Sequence, residues 1–236
     1  MEELTYQEAF EAGKQAYEAE NYQQAQNYYR EAADIAEDND NAEGYVDALI
    51  EVGETCMHLS DGESMLNTWN TAVAVARETG YEYGLHKALR RLGLIYSRND
   101  YFEDAENCLK ESIEIGIRNG FDQNHVTYMK YILQKVLYQQ DKDEEALEQA
   151  LDCEKRVHQE GMLNYIDSLL SDISNIYLML NDLESARHYM MESFVYCEPE
   201  NRKVLLQSIG FINDKLGYTA DAAFFNDWAA KIGGEE

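Results

Sequence analysis

At 236 residues the chain can form one large or two ordinary globular domains, and its single proline, 14 glycines and 45% apolar content describe a helix-rich protein, neither disordered nor fibrous. Its 46 acidic residues against 19 basic ones leave a formal charge of -27, which repels phosphate backbones and anionic lipid surfaces and argues against nucleic acid and membrane as partners. No apolar run approaches the roughly 18 residues of a membrane span, and Met1, Glu2, Glu3 and Leu4 lack the basic and apolar regions of a secretion signal, so a cytoplasmic location is expected.

Self-similarity organises the rest. Small or apolar residues recur at Ala25, Met65, Ala105, Ala146 and Ala186, spaced by 40, 40, 41 and 40. Each period reads as two helices. The first unit, about 4–42, carries Gly13, Tyr17, Tyr22, Ala25, Tyr29 and Ala32, with Asn21 and Gln24 as a loose capping pair between its helices. The second, 43–82, carries Val52, Gly53, Cys56, Met65, Trp69 and Ala72, and the third, 83–122, shows the helical spacing most clearly as Leu85, Leu89, Leu92 and Tyr96, then Phe102, Ala105, Leu109 and Ile113. The fourth, 123–162, keeps Leu133, Ala146 and Ala150, and the fifth, 163–200, keeps Ile173, Tyr177, Leu183 and Ala186. A degenerate sixth, 201–232, holds Gly210, Gly217, Tyr218, Ala222 and Trp228. In it Phe211, Phe224, Phe225 and Trp228 read as buried filler ahead of an exposed adhesive face.

Two boundary signals repeat with the same rhythm. Ser60 with Glu63, Asp100 with Glu103, Asp141 with Glu144, and Asn181 with Glu184 match a capping box and predict the start of each second helix. Gly80, Gly120 and Gly161, each followed by an apolar residue, predict its end, because glycine takes the left-handed conformation of a helix C-cap at no steric cost. Arg77, Arg118 and Arg156 fall just before these glycines, where a cation suits the carboxyl end of the helix dipole. A single hairpin cannot bury its apolar face, so neighbours must stack on one another.

The pattern Leu92, Gly93, Tyr96, Ala105 and Leu109, with its counterparts in the other units, resembles the tetratricopeptide repeat (TPR) family in a long form near 40 residues. The resemblance spans nearly the whole chain. It departs from the family pattern in lacking the repeat-ending proline everywhere except near Pro199, and in lacking the tryptophan that opens each first helix. It implies an all-α, right-handed α-solenoid of stacked antiparallel helix hairpins, a single TPR-like superhelix over residues 1–236, with a concave face lined by the first helix of each repeat.

Searched on those first helices, the chain offers Lys87, Arg90, Arg91 and Arg98 in the third repeat, Tyr128, Tyr131, Lys135 and Tyr138 in the fourth, and Asn175 in the fifth. The basic excess is local: residues 1–45 hold 12 acids and 2 bases, whereas 86–126 hold 7 and 6. Two readings stand side by side. In one, the cluster grips an acidic peptide, since arginine takes carboxylates bidentately and tyrosine adds contact area at small entropic cost. In the other, the cations pair with Glu51, Glu54 and neighbouring acids and quiet the repulsion within a chain of charge -27.

Catalytic readings find no constellation. Glu51 with Glu54, or Glu184 with His188, are the acid pairs expected by chance in so acidic a chain, and His58, His86, His125, His158 and His188 form no HExxH motif or cluster. Cys56, Cys108, Cys153 and Cys197 include no CxxC pair, so no metal and no cofactor is expected. The expected function is a protein- or peptide-binding scaffold without catalysis, its partner another protein or an extended acidic peptide. The alternative is a regulatory sensor resembling the TPR domain of bacterial signalling-peptide receptors. Such receptors usually carry a further N-terminal effector domain, and here the first repeat starts almost at Met1, which argues against a complete receptor.

Overall fold

The computed structural model describes residues 4–160 and 165–232, which form twelve α-helices, one short 3-10 turn and no strand. The chain divides into two compact units, Met1–Gln123 and Asn124–Glu236. In the first unit α1 (Tyr6–Glu18) pairs with α2 (Tyr22–Asp38), α3 (Ala42–His58) with α4 (Gly62–Thr79), and α5 (Glu82–Arg98) with α6 (Phe102–Asn119). Within this unit α2 also packs on α3 and α4 on α5, and the first helices α1, α3 and α5 lie side by side. In the second unit α7 (Gln123–Tyr138), which begins on the boundary residue, precedes α8 (Asp143–Glu160). There α9 (Ile166–Met179) pairs with α10 (Leu183–Tyr196), and α11 (Arg202–Lys215), entered through the turn Pro199–Asn201, pairs with α12 (Thr219–Ile232).

One device closes the helices. Glu20, Asp40, Ser60, Gly80, Asp100 and Gly120, spaced every 20 residues, all have φ between 54° and 71°, and Asp141, Asn181 and Gly217 continue the series. After each of them, the next amide N–H donates to the carbonyl five residues back at 2.8–3.1 Å, as from Asn21 to Ala16, Tyr81 to Ala76 and Asp182 to Tyr177. This 6→1 bond satisfies a carbonyl that the helix leaves orphaned. Gly80 and Gly120 therefore end α4 and α6 as expected, while Gly161 lies outside the described residues.

The capping residues need correction by one position. Ser60, Asp100, Asp141 and Asn181 do not open the second helices; they are the left-handed residues that finish the first ones. The side-chain caps come next in line, where Asp61 Oδ1 accepts from the Ser64 amide at 3.1 Å and Asp182 Oδ1 from the Ser185 amide at 3.1 Å. Asp, Asn and Ser suit N-caps, and Asp and Asn also tolerate the left-handed region, so residue type alone does not separate the two roles. The last-turn arginines also do more than face a dipole: Arg77 pairs with Glu111 of α6, and Arg118 with Glu82 of α5.

In the first unit the 40-residue register places Gly13, Gly53 and Gly93 of the first helices against Tyr29, Trp69 and Leu109 of the second helices. A Cβ on Gly13 would meet the Tyr29 ring at 2.7 Å, and one on Gly53 would clash with Nε1 of Trp69. Trp69, 1% exposed, sits in the core of the first unit with Ile50, Leu89 and Leu92, and its indole N–H donates to the Ile50 carbonyl at 3.0 Å. Met190, Leu205, Ile209 and Ile212 form the corresponding core between α10 and α11. The filler expected from the last aromatics is only partly there. Phe225 packs on that core, but Phe224 and Trp228 are exposed, because α12 buries the opposite face, at Ala222 and Ala229, and Phe211 is exposed on α11, which buries Leu205, Leu206, Ile209 and Ile212 instead.

Candidate functional site

Each unit carries a set of charged and polar groups on its first helices. On α3, Asp47, Glu51 and Glu54 are spaced by four and three residues and so share one face. Facing them on α5, Lys87 Nζ lies 3.2 Å from Asp47 Oδ1 and 4.0 Å from Glu51 Oε1, and Arg91 Nε lies 2.9 Å from Glu54 Oε2. Tyr81 donates its hydroxyl to the other oxygen of Asp47 at 3.0 Å. Burial raises the Tyr6 phenol to about 12, with Asp47 and Glu51 adding to the effect, so the acid row is read from α1 as well.

Lys87 and Arg91 are thus taken up by the chain's own carboxylates. Arg90 and Arg98 form no ion pair among the described residues. Arg90 Nε is buried without a hydrogen-bond partner, and burial lowers the pKa of its guanidinium, with Arg91 next to it adding like-charge repulsion. An arginine stays charged regardless. It is therefore a desolvated cation with a donor to spare, whereas Arg98 is exposed. Next to it, His86 is a structural residue, 3% exposed, its Nδ1 2.9 Å from the Ser112 carbonyl and its pKa lowered by burial.

Glu51 is the strained member of the acid row. Burial raises its pKa against the pull of Lys87 and Arg91. A carboxyl whose pKa is higher in the folded than in the unfolded state favours folding when protonated, and that contribution is lost as pH rises through the folded value. Glu51→Gln is accordingly expected to raise Tm at pH 7, with the advantage shrinking as pH falls toward the ordinary glutamate range near about 4. Melting curves of the two proteins that run parallel from pH 4 to pH 8 would contradict this.

In the second unit the candidates Lys135, Tyr138 and Asn175 come together. Lys135 Nζ lies 3.2 Å from Asp172 Oδ2 and 4.8 Å from the centre of the Tyr131 ring, and Gln134 donates to the same Asp172 oxygen at 2.9 Å. Lys135 and Asp172 form a shared wall between two cavities. One, of about 280 Å³, is lined by Ser168, Ser171, Ser193 and Asn201; the other, of about 140 Å³, by Tyr138 and Asn175. Burial raises the Asp172 pKa against the opposing pull of Lys135. Tyr131 is buried and stacks on Tyr165 at 4.8 Å, with Tyr128 6.2 Å from Tyr165, so these rings form the wall behind Lys135.

Asp47, Asp172 and Gln134 were not singled out from the sequence. Asp47 left a signal there: it stands one 40-residue period before Lys87, as Glu51 stands one period before Arg91, so opposite charges occupy equal register on successive first helices. Asp172, 37 residues after Lys135, left none.

Paired helices in a 40-residue register, small residues at their crossings and polar side chains on the first-helix row define a TPR-like α-solenoid fold. The solved structures agree. The chain is similar to BtubC (BKLC) from P. vanneervenii, with TM-score 0.67, 14% identity, and coverage of 98% of this chain and 92% of that one. It is similar to the apo form of RapI, with TM-score 0.65, 13% identity and coverage of 98% and 84%. It is also similar to the nearly identical TPR-like repeats of a Podosopora anserina putative kinesin light chain, with TM-score 0.61, 11% identity and coverage of 80% and 92%. At such identities the likeness is one of fold. No protein-family model matches the chain, and neither does any curated protein.

Proposed function

We propose that the chain is a non-catalytic scaffold that holds an acidic, extended peptide segment of a partner protein in the cytosol, through the first-helix surface that carries Arg90 and Arg98. The observation that supports this reading is the split within the cation row: Lys87 and Arg91 pair with carboxylates of α3, while Arg90, which feels Glu54 and Asp122 only at longer range, and Arg98 form no ion pair among the described residues. A peptide carboxylate supplies the two acceptor oxygens that a guanidinium fork matches. Retaining unpaired arginines in a chain of net charge -27 then has a use.

Binding to a peptide array graded from acidic to basic tests the proposal. Acidic peptides are expected to bind best, and Arg90→Glu/Arg98→Glu to weaken them by about tenfold or more, each lost charge-assisted contact being worth roughly 1.5–3 kcal/mol before solvent screening. Equal binding of acidic and basic peptides would end the reading. A second version, a regulatory sensor that closes on its peptide, uses the same fold, which RapI shares in its apo form. A radius of gyration in X-ray scattering that falls on peptide addition marks the sensor, and an unchanged one marks the scaffold.

A further inference from the structure

The clefts between successive hairpin turns of the first unit are built to one register but filled differently. Between the first and second hairpins, Tyr22, the first residue of α2, stacks on His58 with ring centroids 4.2 Å apart, and the Tyr17 hydroxyl lies 2.8 Å from His58 Nε2. One period later the same three positions hold Gly62, Arg98 and Met57. Gly62 is the first residue of α4, as Tyr22 is of α2 and Phe102 of α6, and it alone of the three lacks a ring. A Cβ placed on Gly62 would meet nothing within 4 Å.

The space left behind is a cavity of about 360 Å³ lined chiefly by Met57, Met65, Leu66, Ile95, Tyr96 and Tyr101. It is far larger than the roughly 150 Å³ that suffices to hold a benzene ring. Two thioethers among its walls favour the edge and face of an aromatic ring. Arg98, exposed and without an ion pair among the described residues, stands in the register position from which His58 covers Tyr22, and a guanidinium stacks on a ring as an imidazole does.

We infer that this cleft is a binding slot for one aromatic ring, the side chain of a tyrosine or phenylalanine carried by a partner chain. The incoming ring takes the place that Tyr22 occupies in the preceding cleft. The slot lies at the hairpin turns and shares only Arg98 with the acidic-peptide reading, so Gly62→Tyr, which leaves Arg90 and Arg98 in place, tests it separately.

The test uses the full chain with ¹³C-methyl methionines and two probes, p-cresol and N-acetyl-tyrosine amide. Both are expected to shift Met57 and Met65 saturably while leaving the methyls of Met129 and Met190 unmoved. Gly62→Tyr, which fills the slot from within, is expected to abolish both shifts while keeping the first unit folded, read from an unmoved indole N–H signal of Trp69, which donates to the Ile50 carbonyl in the core of that unit. Arg98→Ala is expected to weaken binding about two- to fivefold. Response to p-cresol alone would make the occupant a free aromatic molecule and overturn the partner-chain assignment. No response to either probe, or undiminished binding by Gly62→Tyr, would overturn the slot itself.

Discussion

Trp69→Ala is expected to destabilise the first unit by about 3–5 kcal/mol, the usual cost of removing a large aromatic from a packed core. The ring is 1% exposed and lies directly on Gly53, whose missing side chain is what lets α3 and α4 approach so closely. Alanine leaves a cavity that two helix backbones border, and a backbone cannot collapse into it as side chains do. The variant also strips the Ile50 carbonyl of its indole donor, and Trp69→Phe separates that part, with an expected cost of about 1 kcal/mol for the hydrogen bond plus a smaller packing loss. Urea unfolding of the three proteins checks both values. A loss under about 1 kcal/mol for the alanine variant would mean that this contact does not hold the second hairpin together.

Arg91→Ala is expected to cost about 2–3 kcal/mol, although arginine is ordinarily a surface residue. Its partner Glu54 is only 7% exposed, and the Glu54 Oε2 that faces Arg91 is buried with no hydrogen bond of its own. Removing the cation leaves a shielded carboxylate uncompensated, which in fully buried pairs costs about 3–5 kcal/mol; the lower figure reflects the 31% exposure of the Arg91 side chain. The asymmetry is the diagnostic. Glu54→Gln in the Arg91→Ala background is expected to recover most of the loss, because the stranded charge is gone. Arg98→Ala, with no internal partner, is expected to stay within about 0.5 kcal/mol of the parent. A double variant no more stable than Arg91→Ala would show that the cost lies in lost packing of the arginine stem.

These expectations bear on what the basic cluster is. Of the two sequence readings, pairing with neighbouring acids describes Lys87 and Arg91, and the proposed capture of a ligand rests on Arg90 and Arg98. The composition around residues 86–126 could not divide the four, since adjacent positions on one helix point in directions about 100° apart and only the neighbouring helix decides which of them meet a carboxylate.

The periodic features were legible in the letters. A 40-residue repeat of small residues, the glycines opposite Tyr29 and Trp69, and the helix-ending Gly80 and Gly120 are local or translational, and each follows from sterics that a residue carries with it. The helix starts were legible to within one position, the error arising because Ser60, Asp100, Asp141 and Asn181 are competent both to cap a helix and to take a left-handed backbone.

Sequence by itself therefore determined the class of fold: helix hairpins in a 40-residue register, with first helices side by side and cores of alanine, leucine and large aromatics. What only the tertiary structure decided was which charges cancel, where Lys135 finds Asp172, that Phe224 and Trp228 stay exposed, and that the cleft beside Gly62 is left open while its neighbour is filled by Tyr22. The physical reason is one of range. Helix formation and chain reversal are settled by residues within a turn or two of each other, whereas ion pairing and cavity formation depend on how one hairpin is rotated against the next, and that rotation is set by the sum of many small packing contacts across the interface.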